Sequence, residues 1–456
     1  MFKKLMPIWS VLICLAMLMG CSSTPPAPSA QGGEVSSQGS GGTESKPADP
    51  GKLEVVQIAL TAEAPAVEGM NEVLDLINPR LAEKNIKAEL LEIPADGWVP
   101  FYQKLMALQA AGNAPALARI AEFYMPVMIS KNQISDLTDR LTELDMDAYF
   151  EKAFQGASVV DGKTYGVPSG QYSVVMYFNK DLFDAAGLSY PSQDWNKPTT
   201  LQEVAELARK LTSGSGADKI YGFGTHTSIL HVEHYLKGNG GPGVYDENYK
   251  CQLMEPLNLE VYQLFSQMSV QDKSMLNSND TKVMGAADLF KEGRLAIYVD
   301  GTWNQSAFRD IDKFTPGIAA VPGKEGKGCS ASFLDQWVIP AGSKQQDAAW
   351  ETLKEILAED SQTILFNRSL FGITVTKSVL DKSLDEYVGP KFDETDREVF
   401  VESLNRLIPA PYTPAYSELN PRYVAELSQL TLGTLTAEQA VANMVEICDT
   451  MNARAG

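Results

Sequence analysis

The sequence predicts an α/β protein with more than one sheet, and three observations lead there. A β-branched strand, Leu53 to Leu60, is followed by apolar residues at helical spacing and then by a second strand. Strand and helix signals alternate again beyond Thr200. No repeat of fixed period runs through the chain. A strand, a crossover helix and a returning strand make a unit whose two strands lie parallel.

Taken in order, Leu53-Glu54-Val55-Val56-Gln57-Ile58-Ala59-Leu60 has the β-branched content of a half-buried strand. Met70, Val73, Leu74, Ile77 and Leu81 then share one face of a helix. Ala88 to Ile93 closes the unit as a strand. A second helix is expected from near Pro100, a good first-turn residue, to Gly112. Pro115 precedes a short apolar strand, Leu117 to Ala121. Thr200 and Glu203 form a capping box for the helix that carries Val204, Leu207, Ala208 and Leu211. Strands follow at Ile220 to Phe223 and Ala296 to Val299, and a helix at Ala348 to Leu357. The last helix opens at Thr436, has Gln439 at the capping-box position, and runs through Met444, Ile447 and Met451.

The N-terminus reads as an address. Lys3 and Lys4 precede an apolar run, Leu5 to Gly20, which is shorter than the roughly 20 residues of a membrane-spanning helix. Residues 1–20 are therefore expected to be a secretory signal. Leu18-Met19-Gly20-Cys21 resembles the bacterial lipobox, in which the cysteine becomes the lipidated first residue, so Cys21 is the expected lipidation site. Residues 21–51 hold almost no large apolar side chains and cannot bury enough surface to fold. As a flexible coil they span on the order of 30 Å, a tether holding a folded body off a membrane. Ser22 and this long tether resemble lipoproteins of Gram-positive bacteria.

Composition narrows the partners. Hydrophobic residues make up 44% and charged ones 21%, an ordinary globule, while the formal charge of −20 repels nucleic acid and anionic lipid. Cys251, Cys329 and Cys448 match no metal framework, and three unpaired cysteines are favoured over one disulfide and a remainder.

Several motifs imitate chemistry. Gly162-Lys163-Thr164 looks like the end of a phosphate loop, but five residues separate Gly156 from Gly162 where the pattern takes four. Pro168 also blocks the helix that should hold the phosphate, so Asp161-Gly162 reads as a hairpin turn. Gly238-Asn239-Gly240-Gly241-Pro242-Gly243 satisfies GxGxxG, yet it follows a helix rather than a strand and reads as a loop. His226, His231 and His234 could form a zinc triad, but Glu233 is misplaced for an HExxH motif. A packing cluster is the better reading, with no metal and no cofactor expected. His226, in the loop after the Ile220–Phe223 strand, remains a candidate ligand contact. No GxSxG elbow is present and no carboxylate pair stands out as glycosidase machinery.

Five landmarks, in order along the chain, then point one way. Tyr102-Gln103-Lys104-Leu105 with Ala111-Gly112-Asn113-Ala114-Pro115 is similar to "Y..KL......G.APD", with Ala116 departing from the usual Asp. Tyr165-Gly166-Val167-Pro168 followed by Tyr177-Phe178-Asn179-Lys180-Asp181-Leu182-Phe183 and Ala186-Gly187-Leu188 is similar to "YG.P......YN.DLF..AGL". Phe290 to Ile297 with Gly301-Thr302-Trp303 resembles "F..GKAAM...G.W", and Gly317 to Gly323 resembles "G.A.LPG". Ile339 to Ser343 with Ala348-Ala349-Trp350 resembles "I...S......AW.FL". Together they resemble the extracellular solute-binding proteins of ABC importers, in the maltose-binding-protein-like branch.

The resemblance implies a periplasmic-binding-protein-like fold of type II: two α/β lobes joined by a three-segment hinge and closing on a ligand. Carried over, the crossings fall near Pro168–Tyr172, Ser332–Trp337 and Phe371–Thr376. Lobe one then comprises residues 52–170 and 335–373, and lobe two residues 171–334 and 374–456. It implies a monomer on the extracellular face of the membrane. That monomer captures a carbohydrate, an oligosaccharide by branch, and hands it to permease subunits without breaking a bond. A binding protein for a peptide or polyamine, or a secreted glycan-degrading enzyme, are the alternatives.

A pyranose offers an apolar C–H face and polar edges, so aromatic rings and hydrogen-bonding side chains at the crossings are the expected contacts. Trp303 matches the family's G.W aromatic. Tyr172 lies in the first crossing and Asp335, Gln336 and Trp337 in the second. Tyr412 and Tyr416 lie where the branch places another stacking aromatic. Glu63 follows the first strand, Glu122 and Tyr124 follow the strand after Pro115, and Asp300 adjoins the G.W motif. Trp98, Trp195 and Trp350 are expected to be structural.

Overall fold

The computed structural model describes residues 53–455 apart from Asp96, Gln155 and Ser369. The expected signal, Cys21 and the tether lie outside the described residues. Nine strands make the two larger sheets: β1 (Glu54–Thr61), β2 (Ile86–Ile93), β3 (Leu117–Ala121), β4 (Val167–Tyr172), β5 (Val174–Asn179), β6 (Tyr221–Thr225), β7 (Leu295–Gly301), β8 (Pro316–Ala319) and β9 (Phe333–Val338). The first sheet has the order β2-β1-β3-β9-β4 and the second β8-β5-β7-β6.

Both sheets are mixed. β1 runs parallel to β2 and β3, as the β-α-β pattern requires, and β6 runs parallel to β7. β9 is antiparallel to β3 and β4, and β5 to β7 and β8. The sequence pattern of a single unit could not show this, because β9 enters its sheet from the other lobe and runs against its neighbours.

Period-two burial builds the cores. Val56, Ile58 and Leu60 of β1 face the helix Ala64–Ala82, while Ala59 faces the helix Trp98–Ala110 with Ala118 and Ile120. The second sheet packs in one continuous core with the helices Leu201–Leu211, Ile229–Gly238 and Pro256–Ser266. The C-terminal helices Tyr416–Thr431 and Ala437–Ala455 join that core through Leu419, Tyr423, Met444 and Cys448.

Local chemistry agrees with the expected signals. Thr200 and Glu203 exchange both bonds of a capping box, and Thr436 and Gln439 do the same before the last helix. Asp161 and Gly162 have φ of +52° and +74° between Val159–Val160 and Lys163–Thr164, a tight hairpin rather than a phosphate loop. Gly238 ends the helix Ile229–Gly238, and the glycine-rich run after it is a loop. Trp195 and Trp350 are buried in the cores, whereas Trp98 is only half-buried.

Three segments pass between the sheets. Only Ser173 separates β4 from β5, and it is fully buried with its hydroxyl 2.6 Å from that of Ser403. β9 follows the short strand Ser330–Ala331. The third passage lies against the first, because Gln171 and Ile373 exchange backbone hydrogen bonds of 2.9 and 2.8 Å. This contact requires a residue without a side chain at position 170, where a Cβ would lie 1.7 Å from the carbonyl oxygen of Phe371. Gly170→Ala is expected to destabilise the protein by about 3 kcal/mol or more, read as a lowered urea midpoint at unchanged slope.

Candidate ligand-binding site

The site is built where the passages meet. Arg119 stands in the middle of β3, a strand otherwise made of Leu117, Ala118, Ile120 and Ala121, and it is buried. Its guanidinium ion-pairs with Asp335 of β9 and donates to Ser169 Oγ at 3.1 Å and to the Tyr172 hydroxyl at 3.4 Å. It also lies 4.0 Å from the centroid of the Phe371 ring and 5.3 Å from that of Trp98, within cation–π range of both. Burial lifts the Asp335 carboxyl above its ordinary value, and Arg119 offsets that push without cancelling it. Glu63, exposed at the start of the helix Ala64–Ala82, adds its negative charge to the same push.

The second half of the site is aromatic. The Tyr172 ring meets Trp303 at 5.7 Å in an edge contact, and Trp303 meets Phe333 at 5.5 Å. His231 lies between Phe333, at 4.6 Å, and His226, at 4.0 Å, stacked on both. Ser228 caps the helix Ile229–Gly238 and holds His231 Nδ1 at 2.6 Å. Nε2 has no hydrogen-bond partner and sits 3.8 Å from Asp300. Burial first, then the neighbouring His226 and His234 rings, pushes the His231 pKa well below the ordinary imidazole value. The ring is therefore neutral, and its approach to Asp300 is not an ion pair. Asp300 accepts from Tyr298 Oη, from the Gly301 N–H at 2.8 Å and from Asn304 Nδ2 at 3.0 Å, so it is held rigidly beside Trp303.

Among the expected contacts, the structure thus gathers Tyr172, Trp303, Asp300 and His226, with Asp335 and Glu63 on the side of the first sheet. Trp337 needs correction: it is fully buried in the first lobe's core against Phe371, because it lies directly opposite Arg119 in the pairing of β9 with β3. Gln336 is fully buried within the sheet. Tyr124 is buried and stacks on Tyr102 at 4.4 Å. Tyr416 packs on Phe123 at 4.9 Å. The three histidines do not converge, since His234 turns into the core with neither ring nitrogen bonded, and burial pushes its pKa down to about 3. No group of three or more candidate metal ligands occurs among the described residues.

Glu122 and Tyr412 meet each other instead. Tyr412 donates to the Glu122 carboxyl at 2.9 Å, and the Ala157 N–H donates at 3.1 Å. Both residues line a cavity of about 530 Å³ with Ile129, Val159, Leu334 and Ile408. Successive side chains of an extended segment point to opposite faces, so Phe333 reaches Trp303 while Leu334 lines this cavity. This cavity therefore lies on the far face of the second passage from the aromatic set.

Arg119, Phe333, His231 and Trp98 were not foreseen as contacts. Arg119 had a visible signal, a cation inside a five-residue apolar strand. Phe333 sat within the expected second passage.

Residues 67–363 match the family model for bacterial extracellular solute-binding proteins. The chain belongs to this family. Among its relatives is a binding protein of Brucella abortus, 23% identical over 82% of this chain and 86% of its own length. A maltooligosaccharide ABC transporter solute-binding lipoprotein of Streptococcus pneumoniae is 25% identical over 72% of this chain and 74% of its own. The fold is similar to that of an ABC substrate-binding protein of Listeria monocytogenes solved with cycloalternan. The TM-score is 0.75 at 22% identity, covering 88% of this chain and 99% of that one. As in other extracellular solute-binding proteins of type II, two α/β lobes flank the passages.

Burial pushes the Glu122 carboxyl up from 4.5 to about 8, although Tyr412 and the Ala157 N–H oppose the shift. Below its ordinary pKa the group is protonated whether the chain is folded or not. Between that value and about 8 only the unfolded chain releases the proton, so stability falls as pH rises through this window. Glu122→Gln, which mimics the protonated acid, is expected to raise Tm by several degrees near pH 8 and to leave it unchanged at about pH 4 or below, under the ordinary carboxyl value.

Proposed function

We propose that this protein captures a neutral oligosaccharide outside the cell and delivers it to the membrane subunits of an ABC importer. The observation that carries this reading is the aromatic set of Tyr172, Trp303 and Phe333 at the meeting of the passages, rimmed by Asp300 and His226. A sugar ring laid on one indole covers about 50 Å² of C–H surface, on the order of 1 kcal/mol. Each buried hydroxyl left unpaired costs roughly 1–3 kcal/mol, which the carboxylate and imidazole edges offset. A few such contacts reach the roughly −8 kcal/mol of micromolar binding.

Charge supports a neutral solute. The guanidinium in this region is already paired with Asp335, and Glu63 and Asp300 give the surroundings acidic character. A phosphate or carboxylate ligand would meet repulsion. The maltooligosaccharide lipoprotein of Streptococcus pneumoniae and the cycloalternan complex from Listeria monocytogenes support the same class of solute.

In this reading the chain acts as a monomer, held at the outer face by lipid on Cys21 and by the tether that follows. It leaves its solute chemically intact. Cys21→Ala is expected to move the protein from the membrane fraction to the culture medium, read by blotting of both fractions.

Trp303→Ala is expected to weaken binding roughly thirtyfold or more in calorimetry, with Tm of the unliganded protein changed by only a few degrees. A panel of maltotriose, galactobiose, diacetylchitobiose, a tripeptide and spermidine tests the solute class. Retention of affinity in Trp303→Ala, or a Tm rise with spermidine and none with a sugar, would overturn the reading.

A further inference from the structure

We propose that Arg119 is a positioning residue that, through the Tyr172 hydroxyl, fixes the ligand face of Trp303 and ties it to all three passages between the sheets. The inference rests on the solute-binding reading of that face and names a residue no expected contact included.

Four observations carry it. First, a cation occupies the centre of a five-residue strand whose other side chains are buried and apolar. Taking a guanidinium out of water is costly, so its position calls for compensation by specific partners. Second, those partners come from every passage. Ser169 and Tyr172 belong to the first, Asp335 to the second and Phe371 to the third. Only arginine offers five donors in a planar fork together with flat faces that stack on rings, so one side chain can hold all of them. Third, the group is cross-braced, because Ser169 Oγ also donates to the Asp335 carbonyl oxygen at 3.0 Å. Fourth, Tyr172 faces both ways. Its hydroxyl is at Arg119 on the first-sheet side, and its ring edge is at Trp303 on the second-sheet side. A change at Arg119 therefore reaches Trp303 through one rigid phenol.

The test uses the whole folded chain labelled with 5-fluorotryptophan, in which the Trp303 resonance is assigned by its loss in Trp303→Phe. Tyr172→Phe removes the hydroxyl alone. The double variant Arg119→Leu with Asp335→Leu replaces the buried pair by apolar groups, which generally preserves folding. Arg119→Lys keeps the charge and loses the fork. The proposal expects Tyr172→Phe and the double variant to stay within a few degrees of the parent Tm. Both should shift or broaden the Trp303 resonance without any ligand. With whichever of maltotriose, galactobiose or diacetylchitobiose binds the parent, both should weaken binding about tenfold, and combining them should add little. Arg119→Lys should not restore the parent resonance. An unchanged Trp303 resonance in Tyr172→Phe would overturn the proposal, whatever happens to stability. A responsive resonance in a protein that binds none of the three sugars would support Arg119's role and sink the carbohydrate reading instead.

Discussion

The structure depends on how a charge is kept inside. Arg119 and Asp335 form a pair in a region where both ions have lost most of their water. Such a pair is retained only where further hydrogen bonds and stacking complete its environment, and here Ser169, Tyr172, Trp98 and Phe371 supply them. The geometry of the passages follows from satisfying this one group. Gly170 lets the third passage lie on the first, which brings Phe371 over the guanidinium. Pairing of β9 between β3 and β4 brings Asp335 to its side.

The second passage separates two environments of different character. On one face, rings stand edge to face around a rigidly bonded carboxylate. On the other, an apolar cavity surrounds a carboxyl that burial keeps protonated over much of the neutral range. A cavity of about 530 Å³ would by itself draw a ligand search to the second. Chemistry favours the first, because a sugar needs flat apolar faces beside polar edges.

Much of the architecture was legible in the sequence because it is written locally. Hydrophobic spacing located the helix Ala64–Ala82, Thr200 and Glu203 marked a helix start, and Asp161-Gly162 marked a hairpin. Strand limits moved by one or two residues, as at β2 and β6, because pairing with a neighbour extends a strand past its own propensity. The family landmarks supplied Trp303 and the passages. What stayed hidden was which way each side chain points. Phe333, Asp335 and Trp337 are close in sequence, yet one meets Trp303, one pairs with Arg119 and one is entombed. Their places along β9 decide among them, Asp335 opposite Ala121 and Trp337 opposite Arg119, and that pairing joins segments far apart in sequence. Likewise, nothing near Glu122 in the chain announces Tyr412.

The place of β9 has a kinetic side. All four strands of the second sheet lie between residues 174 and 319, so that sheet can assemble from one unbroken stretch of chain. The first sheet cannot, because β4 joins β3 only through β9, which is some 160 residues further on in the sequence. A nascent chain therefore carries an unpartnered β4 until β9 is made. The first sheet therefore closes only after every strand of the second has been made, and the C-terminal helices complete the second core later still.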